Sequence, residues 1–255
     1  MIVNTEGIVL KQRKIANNRR IIVTFSKTYG KINAGTSINE KSKGKSALAL
    51  RPFTYAEYQI FKGRDYYNID SATVKKSYYA IGEDFDRFIV ASQILEYIDK
   101  ITEEGQPRPM LFDLTIEFLE SITRVSGNYE TLLYAFIVKT LRMQGIMPEL
   151  KCCIDCGKPL SEFGKGKGKK IKMFSVTSGG VICENCHKAE TSTGSALIYS
   201  PSFDIIEVLQ YFILKPMETF EKLKLRPEVS EQIKNILAEY IKHYLDIDVF
   251  KDEKG

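Results

Sequence analysis

The sequence contains no tryptophan and only two histidines, His187 and His243. Catalysis built on an imidazole base, alone or beside a serine or cysteine nucleophile, has almost no material here. No apolar run approaches the roughly 20 residues that a membrane-spanning helix needs. No signal-peptide layout opens the chain, so the cytoplasm, with its reduced thiols, is the expected compartment. A complete nucleotide loop is also missing. Gly44-Lys45-Ser46 resembles the end of a phosphate-binding P-loop, yet Asn39 stands where the first glycine belongs. That stretch reads as a flexible basic loop.

What is present is unevenly distributed. The net charge of +5 is mild, but it is the residue of opposed blocks. Residues 1–80 hold 15 Lys/Arg against 5 Asp/Glu, and residues 81–150 hold 6 against 12. Residues 151–190 are basic again with 8 against 4, and 191–255 are acidic with 8 against 11. A basic module flanked by acidic ones is a common footprint of a polyanion-binding surface.

All five cysteines fall between Cys152 and Cys186. Cys153 with Cys156, and Cys183 with Cys186, form two C-x-x-C knuckles separated by 26 residues. Each knuckle lets two sulfurs face one ion, and zinc accepts a tetrahedron of thiolates. Gly157, Gly179 and Gly180 supply permissive backbone beside them. A disulfide framework would want an even cysteine count in a secreted chain, and a thioredoxin-like motif would want one knuckle after a βαβ unit. The expectation is one structural Zn²⁺ held by Cys153, Cys156, Cys183 and Cys186. Cys152 is then a spare thiol, and His187 a bystander or a substitute ligand. A closed shell of four thiolates leaves no position for water or substrate.

Residues 1–80 read as five short β-runs: Asn4–Gln12, Arg20–Ser26, Lys31–Thr36, Thr54–Phe61 and Tyr66–Val74. Five strands with a longer link between the third and fourth suit a small closed barrel of the OB type. An SH3-like barrel or a split sheet is the alternative. The cations sit at the connections: Lys11, Arg13, Lys14, Arg19 and Arg20 around the first turn, and Lys41, Lys43, Lys45 and Arg51 in the long link. They are candidate DNA phosphate contacts as a group, because such contacts add through counterion release. Tyr29, Phe53, Tyr55, Tyr66 and Tyr67 are available rings for base stacking, about half of them expected in the core by strand alternation.

From Glu83 the periodicity turns helical. Helices are expected over Glu83–Thr102, with Phe85, Phe88, Ile89, Leu95 and Ile98 at mostly helical spacing, then over Met110–Val125 and from Asn128 to about Gln144. The third is apolar nearly all round, as a central bundle helix would be. Phe203–Ile213 and Pro227–Leu245 are two more. The insert Gly164–Lys170 is too rich in glycine and lysine to be regular, and reads as either a phosphate contact or a solvated tip. The fold class is thus α+β multidomain: an OB-type barrel at 1–80, an all-α domain at 81–150 and 191–250, and a Cys₄ zinc module at 151–190 inserted in it.

Five stretches, in this order, resemble the RecO family of bacterial recombination mediators. They are Glu6-Gly7-Ile8-Val9-Leu10-Lys11, Tyr29-Gly30-Lys31-Ile32, Arg51-Pro52-Phe53-Thr54, Gly145-Ile146-Met147-Pro148-Glu149-Leu150 and Gly179-Gly180-Val181-Ile182-Cys183. The resemblance covers essentially the whole chain. It implies binding of single- and double-stranded DNA and annealing of complementary strands in RecF-pathway repair. It implies action with RecR, and RecF, to load RecA onto strands coated by single-strand-binding protein, whose C-terminal tail is a further partner. It implies no enzymatic activity and a place at the nucleoid. Cys152 and the basic Gly164–Lys170 insert depart from the family pattern. The alternative function is a zinc-ribbon adaptor between proteins in transcription or ribosome function. A zinc enzyme would need a Cys₃ site with a bound water.

Overall fold

The computed structural model of the chain describes residues 1–15, 20–39, 44–64, 66–163, 173–190, 197–200 and 205–250. They fall into two compact units, Met1–Tyr129 and Glu130–Gly255.

In the first unit, β1 (Ile2–Lys14), β2 (Arg20–Ser26), β3 (Gly30–Thr36), β4 (Thr54–Lys62) and β5 (Tyr67–Ser77) form a closed barrel in the order β1-β2-β3-β5-β4. β1 is long enough to pair antiparallel with both β2 and β4, and it shifts register between Val9 and Lys11. A bulge of this kind bends a strand so that it can serve two partners around a barrel. Closure comes from a short parallel pairing of β3 with β5, Ala34 opposite Tyr67 through Thr36 opposite Ile69. Val9, Ile22, Ile32, Ala34, Tyr58, Ile60 and Ile69 fill the interior, the alternate residues that the pleat turns inward.

The β3–β4 link carries α1 (Lys45–Ala49), a turn of helix where the sequence suggested a flexible loop. Its lysines and glycine conceal the apolar set that decides the matter: Ala49 and Leu50 join the barrel core. The Tyr58 hydroxyl donates to the Ala49 carbonyl at 2.8 Å, and the Ser46 hydroxyl to that of Ala72 at 3.1 Å. Burial and these bonds hold a helix too short to stand alone.

The unit also contains α2 (Phe85–Ile101), whose first turn is capped by the Asp84 carboxylate accepting from the Arg87 N–H at 2.8 Å, and α3 (Pro109–Arg124). Val90, Ala91, Ile94, Leu95, Ile98 and Ile101 form the buried stripe of α2. Of the five residues expected at helical spacing, Leu95 and Ile98 lie on that stripe, whereas Phe85, Phe88 and Ile89 are exposed, Phe85 by 78%. The pattern has two overlapping apolar faces, and the longer one wins. Phe112 of α3 lies against Phe25 of β2, ring centroids 5.7 Å apart, so the outer face of β2 is buried as well as its inner one.

The second unit is built around α4 (Tyr129–Met143), buried at every position from Thr131 to Val138 and so central as its composition suggested. Two three-residue strands, β6 (Met173–Ser175) and β7 (Gly180–Ile182), pair antiparallel, and β8 (Ile198–Tyr199) flanks β6. A short helix, α5 (Glu184–Glu190), follows β7, and α6 (Ile205–Leu214) and α7 (Pro227–Leu245) complete the unit. Tyr240 of α7 donates to the Ile146 carbonyl at 2.9 Å and its ring meets Phe174 of β6 at 5.8 Å. The Gly164–Lys170 insert lies outside the described residues. Among the described residues no helix is long and apolar enough to cross a membrane.

Candidate metal centre and nucleic-acid interface

The first knuckle leaves Glu149 in a tight frame. The Glu149 N–H donates to the Gly179 carbonyl at 3.0 Å, and the Val181 N–H returns to the Glu149 carbonyl at 2.8 Å. A Cβ at Gly180 would stand 2.5 Å from that same carbonyl oxygen, so only glycine lets the strands approach this closely. The Ile154 N–H then donates to Val181 at 2.9 Å, and the Gly157 N–H closes the knuckle on the Cys153 carbonyl at 2.9 Å. Cys183 follows β7 directly, and Cys186 lies in the first turn of α5. Backbone pairing between 149–154 and 179–181 thus brings two distant C-x-x-C pairs face to face.

The sulfurs of Cys153, Cys156, Cys183 and Cys186 all lie within 4.8 Å of one another. Cys156 and Cys183 are 3.8 Å apart, far beyond a disulfide bond of about 2.05 Å and close to the edge of a tetrahedron with metal–sulfur bonds of about 2.3 Å. Four soft, closed-set thiols at this spacing can hold one metal ion. Burial pushes the Cys153 thiol up, but N–H groups of Cys156, Cys183 and Asp155 aimed at its sulfur outweigh that and bring it down to about 7. The Cys183 N–H lies 3.4 Å from the Cys153 sulfur. Burial, and then the neighbouring sulfurs, push Cys186 the other way, up. Neither Cys152, beside the cluster with its N–H 3.3 Å from the Glu149 carboxylate, nor His187 belongs to the group of four.

The barrel's cations divide into distinct environments. Lys11 pairs with Asp99 of α2, and Lys31 lies 3.3 Å from the same carboxylate while donating to the Asp99 carbonyl at 2.6 Å. Lys27 pairs with Asp113 at 2.7 Å and Lys76 with Glu120 at 2.7 Å, both on α3, and Lys75 pairs with Glu6. Much of the positive charge of residues 1–80 is therefore matched inside the first unit. Arg13, Lys14 and Arg51 are exposed, and Lys45 is the first residue of α1. Arg19, Lys41 and Lys43 lie outside the described residues.

Arg20 requires a correction. It is only 5% exposed. Its guanidinium donates to the Gln12 side-chain oxygen at 2.9 Å and to the Ile38 carbonyl at 2.7 Å. Gln12 in turn donates to the Leu50 carbonyl. A guanidinium has a rigid fork of donors that suits such a role. Arg20 ties β1, β2 and the β3–β4 link together and does not present its charge to a ligand.

The reverse holds for Lys62 and Arg64 at the β4–β5 turn, both exposed and neither singled out by the sequence. Among the described residues neither pairs with a carboxylate. Lys62 Nζ sits 5.5 Å from the Tyr29 ring centre and 5.8 Å from that of Tyr67, within cation–π range. The stretch Lys62-Gly63-Arg64-Asp65-Tyr66-Tyr67, two cations and an acid before two tyrosines, was the signal that could have found them.

Two family models together cover nearly the whole chain. Residues 1–78 match the family model described as Recombination protein O N terminal, and residues 82–253 that described as Recombination protein O C terminal. The chain belongs to the recombination protein O family. It is 31% identical over 246 residues to the DNA repair protein RecO of Alkaliphilus metalliredigens, covering 96% of this chain and 95% of the relative. It is 30% identical over 244 residues to that of Caldanaerobacter subterraneus subsp. tengcongensis, covering 96% and 93%. It is 26% identical over 245 residues to that of Bacillus pumilus, covering 96% and 90%. The recombination protein O layout thus covers the barrel, the helices and the cysteine module.

Proposed function

We propose that this chain works at the nucleoid in recombinational DNA repair as a non-enzymatic DNA-binding mediator. The observation that carries this reading is the match of both halves of one family along nearly the whole chain, to relatives named DNA repair protein RecO. The closed barrel supports it, since OB folds hold nucleic acid with cationic grooves and aromatic faces. In this reading the chain binds single- and double-stranded DNA and anneals complementary strands. Cationic surface lowers the repulsion between two polyanions, while sequence-neutral contacts leave the bases free to pair. With RecR, and RecF, it loads RecA onto strands coated by single-strand-binding protein, whose C-terminal tail it engages.

We infer that Cys153, Cys156, Cys183 and Cys186 hold one Zn²⁺ as a structural cross-link. A d¹⁰ ion in a shell of four thiolates supplies folding energy and leaves no coordination position for substrate. The spacing of the four sulfurs supports this.

The reading is tested by binding the purified protein to a labelled random single strand across a salt series. A log–log slope of roughly −3, equivalent to about four phosphates, is expected, with little dependence on sequence, and acceleration of annealing between complementary strands. No binding at low salt would sink it.

A further inference from the structure

The four thiols of the cysteine module are not equivalent. Cys153 and Cys183 are buried, Cys186 is half-buried, and Cys156 is exposed. Cys156 stands at the tip of the first knuckle, where Ile154, Asp155 and Gly157 are exposed as well. Gly157 makes that tip, turning the chain at φ 71° while its N–H closes back on the Cys153 carbonyl. Three N–H groups, of Asp155, Cys156 and Cys183, point at the Cys153 sulfur, and one, of Lys158, at that of Cys156. Such bonds draw charge from a sulfur, and burial keeps a reagent away from it. Against Cys153, Cys156 is short of both protections.

Its neighbour is as telling as its exposure. The Cys156 sulfur lies 3.8 Å from that of Cys183, which stands in the other knuckle, 27 positions further along the chain. A covalent bond of about 2.05 Å between them would span the same gap that one ion bridges among the four sulfurs. A bond from Cys156 to Cys153 would instead stay inside one knuckle and tie nothing to the second.

We propose that Cys156 is an oxidation site for hydrogen peroxide, and that its oxidation replaces the metal cross-link with a disulfide to Cys183. The inference rests on the zinc reading above, since a metal-bound sulfur is held as the thiolate, the form that oxidants attack. The Cys156 thiolate attacks one peroxide oxygen. The O–O bond breaks, a sulfenic acid forms on Cys156 and hydroxide leaves. The Cys183 thiolate then attacks the sulfenic sulfur, so that the S–S bond forms, the S–O bond breaks and a second hydroxide leaves. The two sulfurs have lost two electrons, and the peroxide has taken them. Cys153 and Cys186 are left as the remaining thiolates, too few for a closed structural site, and Zn²⁺ departs. The new bond keeps residues 149–154 paired with 179–181 after the ion has gone.

The test treats the zinc-loaded full chain, and its Cys152→Ser variant in which every remaining cysteine is one of the four, with hydrogen peroxide beside a chromogenic chelator. About one Zn²⁺ per chain should be released from each, and dithiothreitol with added zinc should restore the metal-bound form. Tandem mass spectrometry of the peptides should join Cys156 to Cys183. Hydrogen exchange at the Glu149 and Val181 amides should stay slow in the oxidised chain and become fast in a reduced chain stripped by the chelator. Zinc that stays bound under peroxide, a disulfide confined to Cys153 and Cys156, or fast exchange in the oxidised chain overturns this inference alone. A reduced chain that holds no zinc overturns the zinc reading, and this inference with it.

Discussion

The barrel and the cysteine module solve the same problem with different material. The barrel has five strands of 7 to 13 residues that close on themselves, and a dozen buried apolar side chains inside. The cysteine module has strands of three, three and two residues. Strands so short cannot bury enough apolar surface to offset the entropy of ordering them. Four thiols close together supply what the sheet cannot. The barrel should therefore be indifferent to metal, and the module should depend on it.

The largest expected effect breaks that contrast open. Cys183→Ser, or removal of metal by a chelator, should take bound metal from about one ion per chain to none. Apparent zinc affinities of structural sites in small peptides correspond to about 10–16 kcal/mol, so even a fraction of that would unfold segments this small. A thermal scan should then show the module's signal lost at low temperature while the barrel's transition stays where it was. Acid should release the metal as well, because each ligand must shed its proton to bind. A variant that keeps its metal would point to an open Cys₃ site and away from a structural one.

The second effect probes the barrel alone, through two arginines that the sequence could not tell apart. Arg20→Glu places a carboxylate where a buried guanidinium met the Gln12 and Ile38 oxygens, leaving acceptors facing a negative charge. A loss of about 3–5 kcal/mol is expected by chemical denaturation. Arg13→Glu, on the exposed end of β1, should change stability by no more than about 0.5 kcal/mol while weakening DNA binding at low salt. Equal destabilisation by the two would show that Arg20 is not the tie it looks to be.

That pair also marks where reading the sequence stopped. The strands, α3 and α7 were legible within a few residues, because alternation and helical spacing follow from burial on one face. Both C-x-x-C pairs were legible because the chemistry of a thiolate site fixes residue type and local spacing. What was hidden depends on neighbours distant in sequence. Arg20 looked like Arg13 because burial is decided by Ile38 and Leu50, not by adjacent residues. α1 looked like a loop because the Ala-Leu-Ala-Leu run from Ala47 is short and preceded by three lysines and Gly44. The block of positive charge looked free because Asp99, Asp113 and Glu120, which meet it, sit in the acidic block that follows. The β4–β5 cations were overlooked since charge was weighed by clusters, and two residues make no cluster.

The smallest expected effect sharpens the distinction between matched and unmatched cations. Burial pushes the Asp99 carboxyl up, but the hydrogen bond from Lys11 and the charges of Lys31 and Lys11 outweigh it and hold the group below its ordinary range. A carboxyl lowered on folding contributes stability that is present above its unfolded value, about 3.9, and lost as pH falls through the folded one. Asp99→Asn should therefore cost about 1 kcal/mol at pH 7, the scale of a partly exposed ion pair, and progressively less as pH falls through the folded value and the wild-type carboxyl takes up its proton. The same substitution frees Lys11 and Lys31, so single-strand affinity at low salt should rise if their charge lies within a Debye length of bound phosphate. Denaturation midpoints from pH 7 down into the acid range, read beside a salt series, separate the two consequences. A stability gap that did not narrow as the pH fell would mean that Asp99 acts through packing and not through its charge.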